Sequence, residues 1–230
     1  MSYEPTKYIA AVTPQRVTAD GPTLYQQGTR DGAVFSADWL IARMMEGRVF
    51  CASAGTVTTP ITWDATATID VTKPILWVSV PATVAVIPLE ITLYMEAFGT
   101  NAQFECNAQV GTGGSRTSGG TALTPTNLRS DKPVTSSCTV YGGDSSPVFV
   151  GSTTNVSEFW RDGQQFAITK TTASATAAAS DPNKFVWRLK DSGYGPIGAG
   201  ASQIAVHQGS QAGTGFCKMV WVEVPVTSIV

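Results

Sequence analysis

The chain has 230 residues, of which 14% are charged, with 15 basic against 17 acidic residues and a formal net charge of −2. At 24.2 kDa it exposes roughly 10,000 Å² when folded against about 35,000 Å² when extended, so it buries a core without needing disulfide or metal staples. A pI near 5.4 and the lack of any Lys/Arg run exclude a phosphate-backbone footprint, so nucleic acid is not an expected partner.

Residues 1–34 carry Pro5, Pro14, Gly21, Pro22, Gly28 and Gly32 and no sustained periodicity, which predicts an extended N-terminal arm followed by one domain over 35–230. Met1 to Ala10 has no basic segment leading into an apolar one, so no secretory signal peptide is expected and the mature chain is expected to start here. Ser36 as N-cap, Asp38 in the first turn, then Trp39, Leu40, Ile41, Met44 and Met45 before Gly47 predict one short helix.

From Arg48 onward the pattern has period two. Ile61, Trp63, Ala65, Ala67 and Ile69 alternate with Thr62, Asp64, Thr66 and Thr68. Ile75 to Leu93 is the most apolar run, but Ser79, Pro81, Thr83, Pro88 and Glu90 interrupt it, so it reads as two strands and not as a membrane span. Over Val86 to Phe98 the spacing places Ile87, Leu89, Ile91, Leu93 and Met95 on the core face, with Glu90, Thr92, Tyr94 and Glu96 opposite. Pro88 marks an edge or a strand start.

Further strands are expected over Val49–Ala54, Ile75–Val80, Gln103–Gln109, Val134–Tyr141, Val148–Val150, Gln165–Thr169, Phe185–Leu189, Ile204–His207 and Phe216–Val226. Gly111–Pro125 and Thr171–Pro182 read as long surface loops. With about ten strands, one helix and no repeat of 20 to 50 residues, the fold class is all-β and the architecture a closed sandwich.

No candidate for chemistry holds up. Gly111 to Gly120 is glycine-rich but lacks the Gly-Lys-Ser/Thr of a phosphate loop. Asp191-Ser192-Gly193 matches the triplet of aspartic proteases, yet Arg188, Leu189 and Lys190 precede it where an apolar strand is needed, so it reads as a turn. Glu90 and Glu96 share a strand face, but six residues at about 3.3 Å set them roughly 20 Å apart. Glycoside hydrolysis needs about 5 to 9.5 Å. His207, the single histidine, shows no nucleophile elbow and reads as a strand residue near a sheet edge.

Cys51, Cys106, Cys138 and Cys217 are widely spaced, which argues against zinc; they read as reduced, buried small hydrophobes, with their pairing left open. Asn155-Val156-Ser157 satisfies the N-glycosylation pattern, but Asn155 reads as a turn residue. Trp63, Trp77, Trp160, Trp187 and Trp221 offer material for a sugar platform, although in alternating strands packing is the default role. No catalytic, cofactor-binding or metal-binding residue, and no cofactor, is therefore expected.

Two segments give the chain a family likeness. One is Pro81-Ala82-Thr83-Val84-Ala85-Val86-Ile87-Pro88-Leu89-Glu90-Ile91-Thr92-Leu93-Tyr94-Met95-Glu96, a proline-punctuated loop feeding a long alternating strand. The other is the closing strand Gly215-Phe216-Cys217-Lys218-Met219-Val220-Trp221-Val222-Glu223-Val224-Pro225. Over Arg48 to Pro225 the chain resembles viral jelly-roll capsid proteins. The resemblance implies a single jelly roll of eight strands in two sheets and a non-enzymatic role. That role is self-assembly as a homo-oligomer with other virion proteins, in a virion shell made in the host cytoplasm.

One departure matters. Capsids of small RNA viruses often carry a polybasic arm, whereas residues 1–34 set Lys7, Arg16 and Arg30 against Glu4, Asp20 and Asp31, an equal number of each sign. In this the chain is similar to capsid proteins of tailless, membrane-containing icosahedral viruses, whose shell meets an internal lipid membrane or other proteins and not the genome. The alternative is a jelly-roll carbohydrate- or receptor-binding module that uses its aromatic residues.

Overall fold

The computed structural model describes residues 38–63, 68–98, 103–131, 134–143, 148–165, 184–209 and 213–228. The arm expected over 1–34, the N-cap expected at Ser36 and the loop expected over Thr171–Pro182 lie outside these residues. By internal contacts the chain divides into two compact units, Met1–Glu46 and Gly47–Val230.

In the first unit, helix α1 spans Trp39–Met45. Its N-cap is Asp38, placed by the sequence pattern in the first turn: the carboxylate accepts from the Leu40 amide at 2.8 Å. An aspartate one residue before the first helical amides satisfies an otherwise orphaned donor and its charge suits the positive end of the helix. Arg43 closes the last turn with a 2.6 Å bond to Glu46.

The second unit is all-β. Its strands are β1 (Val49–Ala54), β2 (Ile61–Trp63), β3 (Leu76–Val80), β4 (Val84–Phe98), β5 (Gln103–Thr112), β6 (Ser115–Ser118), β7 (Thr121–Leu123) and β8 (Thr126–Asn127), followed by β9 (Thr139–Gly142), β10 (Val148–Val150), β11 (Thr154–Gln165), β12 (Lys184–Arg188), β13 (Gly198–Ala199), β14 (Ser202–Gly209) and β15 (Gly213–Pro225). A one-turn helix, α2 (Leu189–Ser192), follows β12. One sheet has the order β12-β4-β15-β1-β8, with β13 and β2 as additions; the other has the order β11-β5-β14-β3-β9-β7; β10 and β6 form a separate ribbon. All of the pairings are antiparallel.

The two sheets close over one core. Phe50, Ile91, Leu93, Phe185, Trp187, Met219 and Trp221 of the first sheet meet Leu76, Val78, Phe104, Ala108, Trp160, Ile204 and Val206 of the second. A smaller cluster of Trp77, Phe149 and Ala205, with Tyr141 against it, lies apart from this core. Trp77, Phe149 and Ala205 come from β3, β10 and β14, so the β6–β10 ribbon covers the outer side of the second sheet at this point.

Four expectations need correction. Over β4 the core face is Val84 and Val86, then Ile91, Leu93 and Met95; Ile87 and Leu89 are only half-buried and belong to no core cluster. Trp221 pairs with Pro88 and Val220 with Glu90, which leaves Leu89 as an extra residue. A bulge changes the alternation by one, and proline, with no amide to donate, is suited to the place where the ladder breaks.

Gly111–Pro125 is not one loop: it holds the end of β5 and all of β6 and β7, whose polar side chains carry no alternating apolar signal. The strand expected over Val134–Tyr141 is confined to Thr139–Gly142. Residues 154–165 form a long strand with Asn155 at φ 52°, and Gln165, expected to begin a strand, ends this one.

Leu93 is fully buried in the core, while Glu96 on the same strand is exposed. Leu93→Ala is expected to cost about 2 to 5 kcal/mol through lost transfer energy and the cavity left behind. Glu96→Ala is expected to cost well under half of that. Denaturant melts of the two variants check the assignment, and an equal loss in both would reverse it.

Candidate interaction surface

The structure scatters the residues that chemistry would need. Asp191 sits exposed in α2, 3.8 Å from Arg188, and Gly193 ends that turn at φ 71°. Glu90 accepts from Arg188 Nε at 2.9 Å and from the Thr92 hydroxyl at 3.1 Å. The Arg188 hydrogen bond, joined by Thr92 and the charges of Arg188 and Lys218, holds the Glu90 carboxyl below its ordinary range against the effect of burial. A carboxylate tied down in this way is a strut between β4 and β12, not a general acid. Among the described residues no cluster of His, Cys, Asp or Glu could hold a metal ion.

His207 corrects the sequence reading. It lies on β14, which is interior to its sheet between β5 and β3, and it is 2% exposed. Burial drives its imidazole down to about 4, although the Val71 backbone and the Asp70 carboxylate pull the other way. The thiols of Cys106, Cys138 and Cys217 are pushed upward, chiefly by burial. Trp63, Trp77, Trp160, Trp187 and Trp221 are all buried, so none of them offers a ring to a ligand.

The outer face of the first sheet carries a row of half-buried aromatic residues. Register places Lys184 of β12, Tyr94 of β4 and Phe216 of β15 in one row. Tyr94 and Phe216 stack at 4.6 Å and 20°, and Lys184 Nζ lies 5.2 Å from the Tyr94 ring. With β12 and β15 flanking β4 on opposite sides, both faces of Tyr94 are occupied, which leaves that ring none for a sugar. Val57, Met95 and Glu96 join the two aromatics around an open groove of about 560 Å³. Sequence alternation placed Tyr94 on the polar face of its strand; only the pairing with Phe216 makes a row of it.

The other surface is α1. None of its residues is buried, and Trp39, Ile41, Met44 and Met45 are 44, 52, 45 and 53% exposed. Large apolar side chains exposed this densely make a surface suited to interaction, and the Arg43 guanidinium lies 5.8 Å from the Trp39 ring. No described helix is long and apolar enough to cross a membrane. Searches against family models, curated proteins and solved structures find no match to this chain.

Proposed function

We propose that the chain is a structural subunit of a viral capsid, a single jelly roll that assembles with copies of itself and carries out no catalytic step. Strand order supports the fold. Taking the eight long strands β1, β3, β4, β5, β11, β12, β14 and β15 as first to eighth, one sheet runs 1-8-3-6 and the other 2-7-4-5. This is the arrangement that the paired Greek keys of a jelly roll produce.

A fold of this kind hosts many functions, so the shell reading has to stand on a surface. The observation that carries it is α1: a helix with Trp39, Ile41 and Met44 exposed and Leu40 and Ala42 half-buried, on a chain whose charged fraction is only 14%. A subunit that exchanges such an element with its neighbours buries it in the assembly, where large interfaces are apolar at their centres. The occupied faces of Tyr94 and the burial of Trp63, Trp77, Trp160, Trp187 and Trp221 weigh against the carbohydrate-binding alternative, which would need open rings.

Analytical ultracentrifugation of the full chain and of a chain lacking residues 1–46 tests the proposal. The full chain is expected to sediment as large assemblies, with or without nuclease treatment. The shortened chain is expected to sediment as a monomer or small oligomer and to keep a cooperative melt. Equal assembly by both forms, or assembly only with nucleic acid present, would overturn the reading.

A further inference from the structure

The second sheet carries a feature that the shell reading does not use. His207 projects from the outer face of β14, opposite Asn107 of β5, and residues 68–73 lie across this end of the sheet. The segment sits directly on the strand: a Cβ added at Gly209 would fall 2.8 Å from the Ile69 nitrogen and 3.0 Å from the Thr68 carbonyl carbon. It is locked internally by Asp70, whose carboxylate accepts from the Thr72 amide at 2.8 Å and the Thr72 hydroxyl at 2.6 Å, with Lys73 N bonded to Asp70 O at 3.1 Å. Its backbone is tied to β10 by a 3.0 Å bond from Phe149 N to Thr72 O, and the Val71 side chain packs at Gly151. Val71 itself is 40% exposed, so the covering layer is one residue thick.

Beneath it, the Val71 backbone of the segment lies close enough to favour a ring N–H but out of good hydrogen-bond geometry, so neither ring nitrogen of His207 is well satisfied; nor is Asn107 Oδ1, while Asn107 Nδ2 donates to Glu158 Oε2 at 2.7 Å. A neutral imidazole tolerates this place at the cost of one poorly met donor and one unmet acceptor. An imidazolium would bury a full charge with no well-formed acceptor for either N–H, the Val71 backbone offsetting only part of that cost.

We propose that residues 68–73 form an acid-operated latch, closed over neutral His207 and released when the ring takes up a proton. Among the described residues, the charged groups around the ring are few. Asp70 and Lys73 belong to the latch; Glu105, Glu158 and Arg161 stand on β5 and β11 and bond to one another; β3, β10 and β14 supply no charged side chain apart from the ring. Burial pushes the Asp70 carboxyl up, but the two Thr72 bonds, with Lys73 and His207, bring it below its ordinary value, so it stays ionised while the histidine titrates. Asp70 therefore favours the charged ring without reaching it.

The direction follows from linkage. With the ring titrating at about 4 when closed and at its ordinary value near 6.5 when open, protons bind the open state more tightly between those values. Lowering the pH from 7.4 to 5.0 is then expected to multiply the opening equilibrium roughly 25-fold. The segment is no part of either sheet's ladder and is tied to β10 by the Phe149–Thr72 backbone bond, so opening is local.

Hydrogen exchange of the full chain, followed by mass spectrometry at pH 7.4 and 5.0 and corrected for intrinsic rates, reads this. Peptides covering 68–73 are expected to open about 25-fold more at pH 5.0, with β4 and β15 unchanged, and His207→Gln is expected to remove the pH dependence. Unchanged protection at pH 5.0, the same rise in His207→Gln, or an equal loss across β4 and β15 would each overturn the latch. Because His207 is the only histidine in the chain, its imidazole resonance gives a second reading on the unmodified protein. Ring protonation is expected to coincide with exposure of 68–73; a ring that charges while the segment stays protected would overturn the proposal even if His207→Gln does not fold.

Discussion

Glu223→Ala is expected to cost about 2 to 3 kcal/mol, the effect of leaving hydrogen-bond donors at the end of the core without their acceptor. Glu223 continues the core face of β15 after Cys217, Met219 and Trp221, yet it is a carboxylate at 2% exposure. It accepts from the Ser136 hydroxyl, from the Ser137 amide at 2.9 Å and from Trp221 Nε1 at 3.0 Å. Ser136 and Ser137 precede β9 of the opposite sheet, so the carboxylate ties the two sheets together at one end of the core. Truncation leaves the buried Trp221 Nε1 and the partly buried Ser136 and Ser137 donors short of an acceptor. Glu223→Gln keeps one oxygen but turns an amide nitrogen toward donors, and is expected to fall between wild type and Glu223→Ala. Denaturant midpoints with unchanged slopes measure the series; a loss under about 1 kcal/mol for Glu223→Ala would mean that the network is dispensable.

Gly215→Ala is expected to cost about 3 kcal/mol or more, beyond the usual range for one added methyl in a core. β15 is bonded at this point to both β4 and β2, with Gly215 facing Met95 on one side and Ile61 on the other. A Cβ would fall 1.9 Å from the Tyr94 carbonyl oxygen and under 3 Å from two atoms of the Trp63 ring. The first obstacle is backbone, which cannot swing aside as a side-chain tip can. Gly193 supplies the control: its φ of 71° strains an alanine by about 1 kcal/mol, but nothing lies within 4 Å of the added methyl. Thermal melts should therefore separate the two variants widely, and similar shifts would show that close approach at Gly215 is relieved by movement of β4.

The all-β class, helix α1 and the long strands β1, β3, β4 and β15 were legible because their apolar residues alternate or recur at helical spacing over a stretch long enough to be read. The change of face at Leu89 was not legible, since a bulge is defined by the partner strand and Pro88 alone does not say which residue is left over. β6 and β7 escaped because Ser115–Ser118 is exposed throughout, and a strand with two wet faces has no apolar period. β11 was hidden by Glu158, Arg161 and Asp162, which look like loop residues until Glu105 and Asn107 of β5 are set beside them. His207 was placed near an edge because a lone imidazole in a short run gives no hint of its neighbours; its interior position comes from pairing with residues about 100 and 130 positions earlier in the chain. The surface of α1 could be read from Trp39, Ile41, Met44 and Met45. The row of Lys184, Tyr94 and Phe216 could not, because it joins three distant strands.

The central place of β14 and β15 bears on how the chain is made. Each fills the gap between strands synthesised much earlier: β14 between β3 and β5, β15 between β1 and β4. Until residues 202–225 have left the ribosome, both sheets are open down the middle, and four strands present unpaired backbone edges beside exposed apolar faces. Domain completion therefore waits for β14 and β15, and the search among distant partners that such pairing entails is slow. A product that stops before residue 202 lacks the two strands that close both sheets, so premature termination yields aggregates or degradation targets instead of a smaller folded domain.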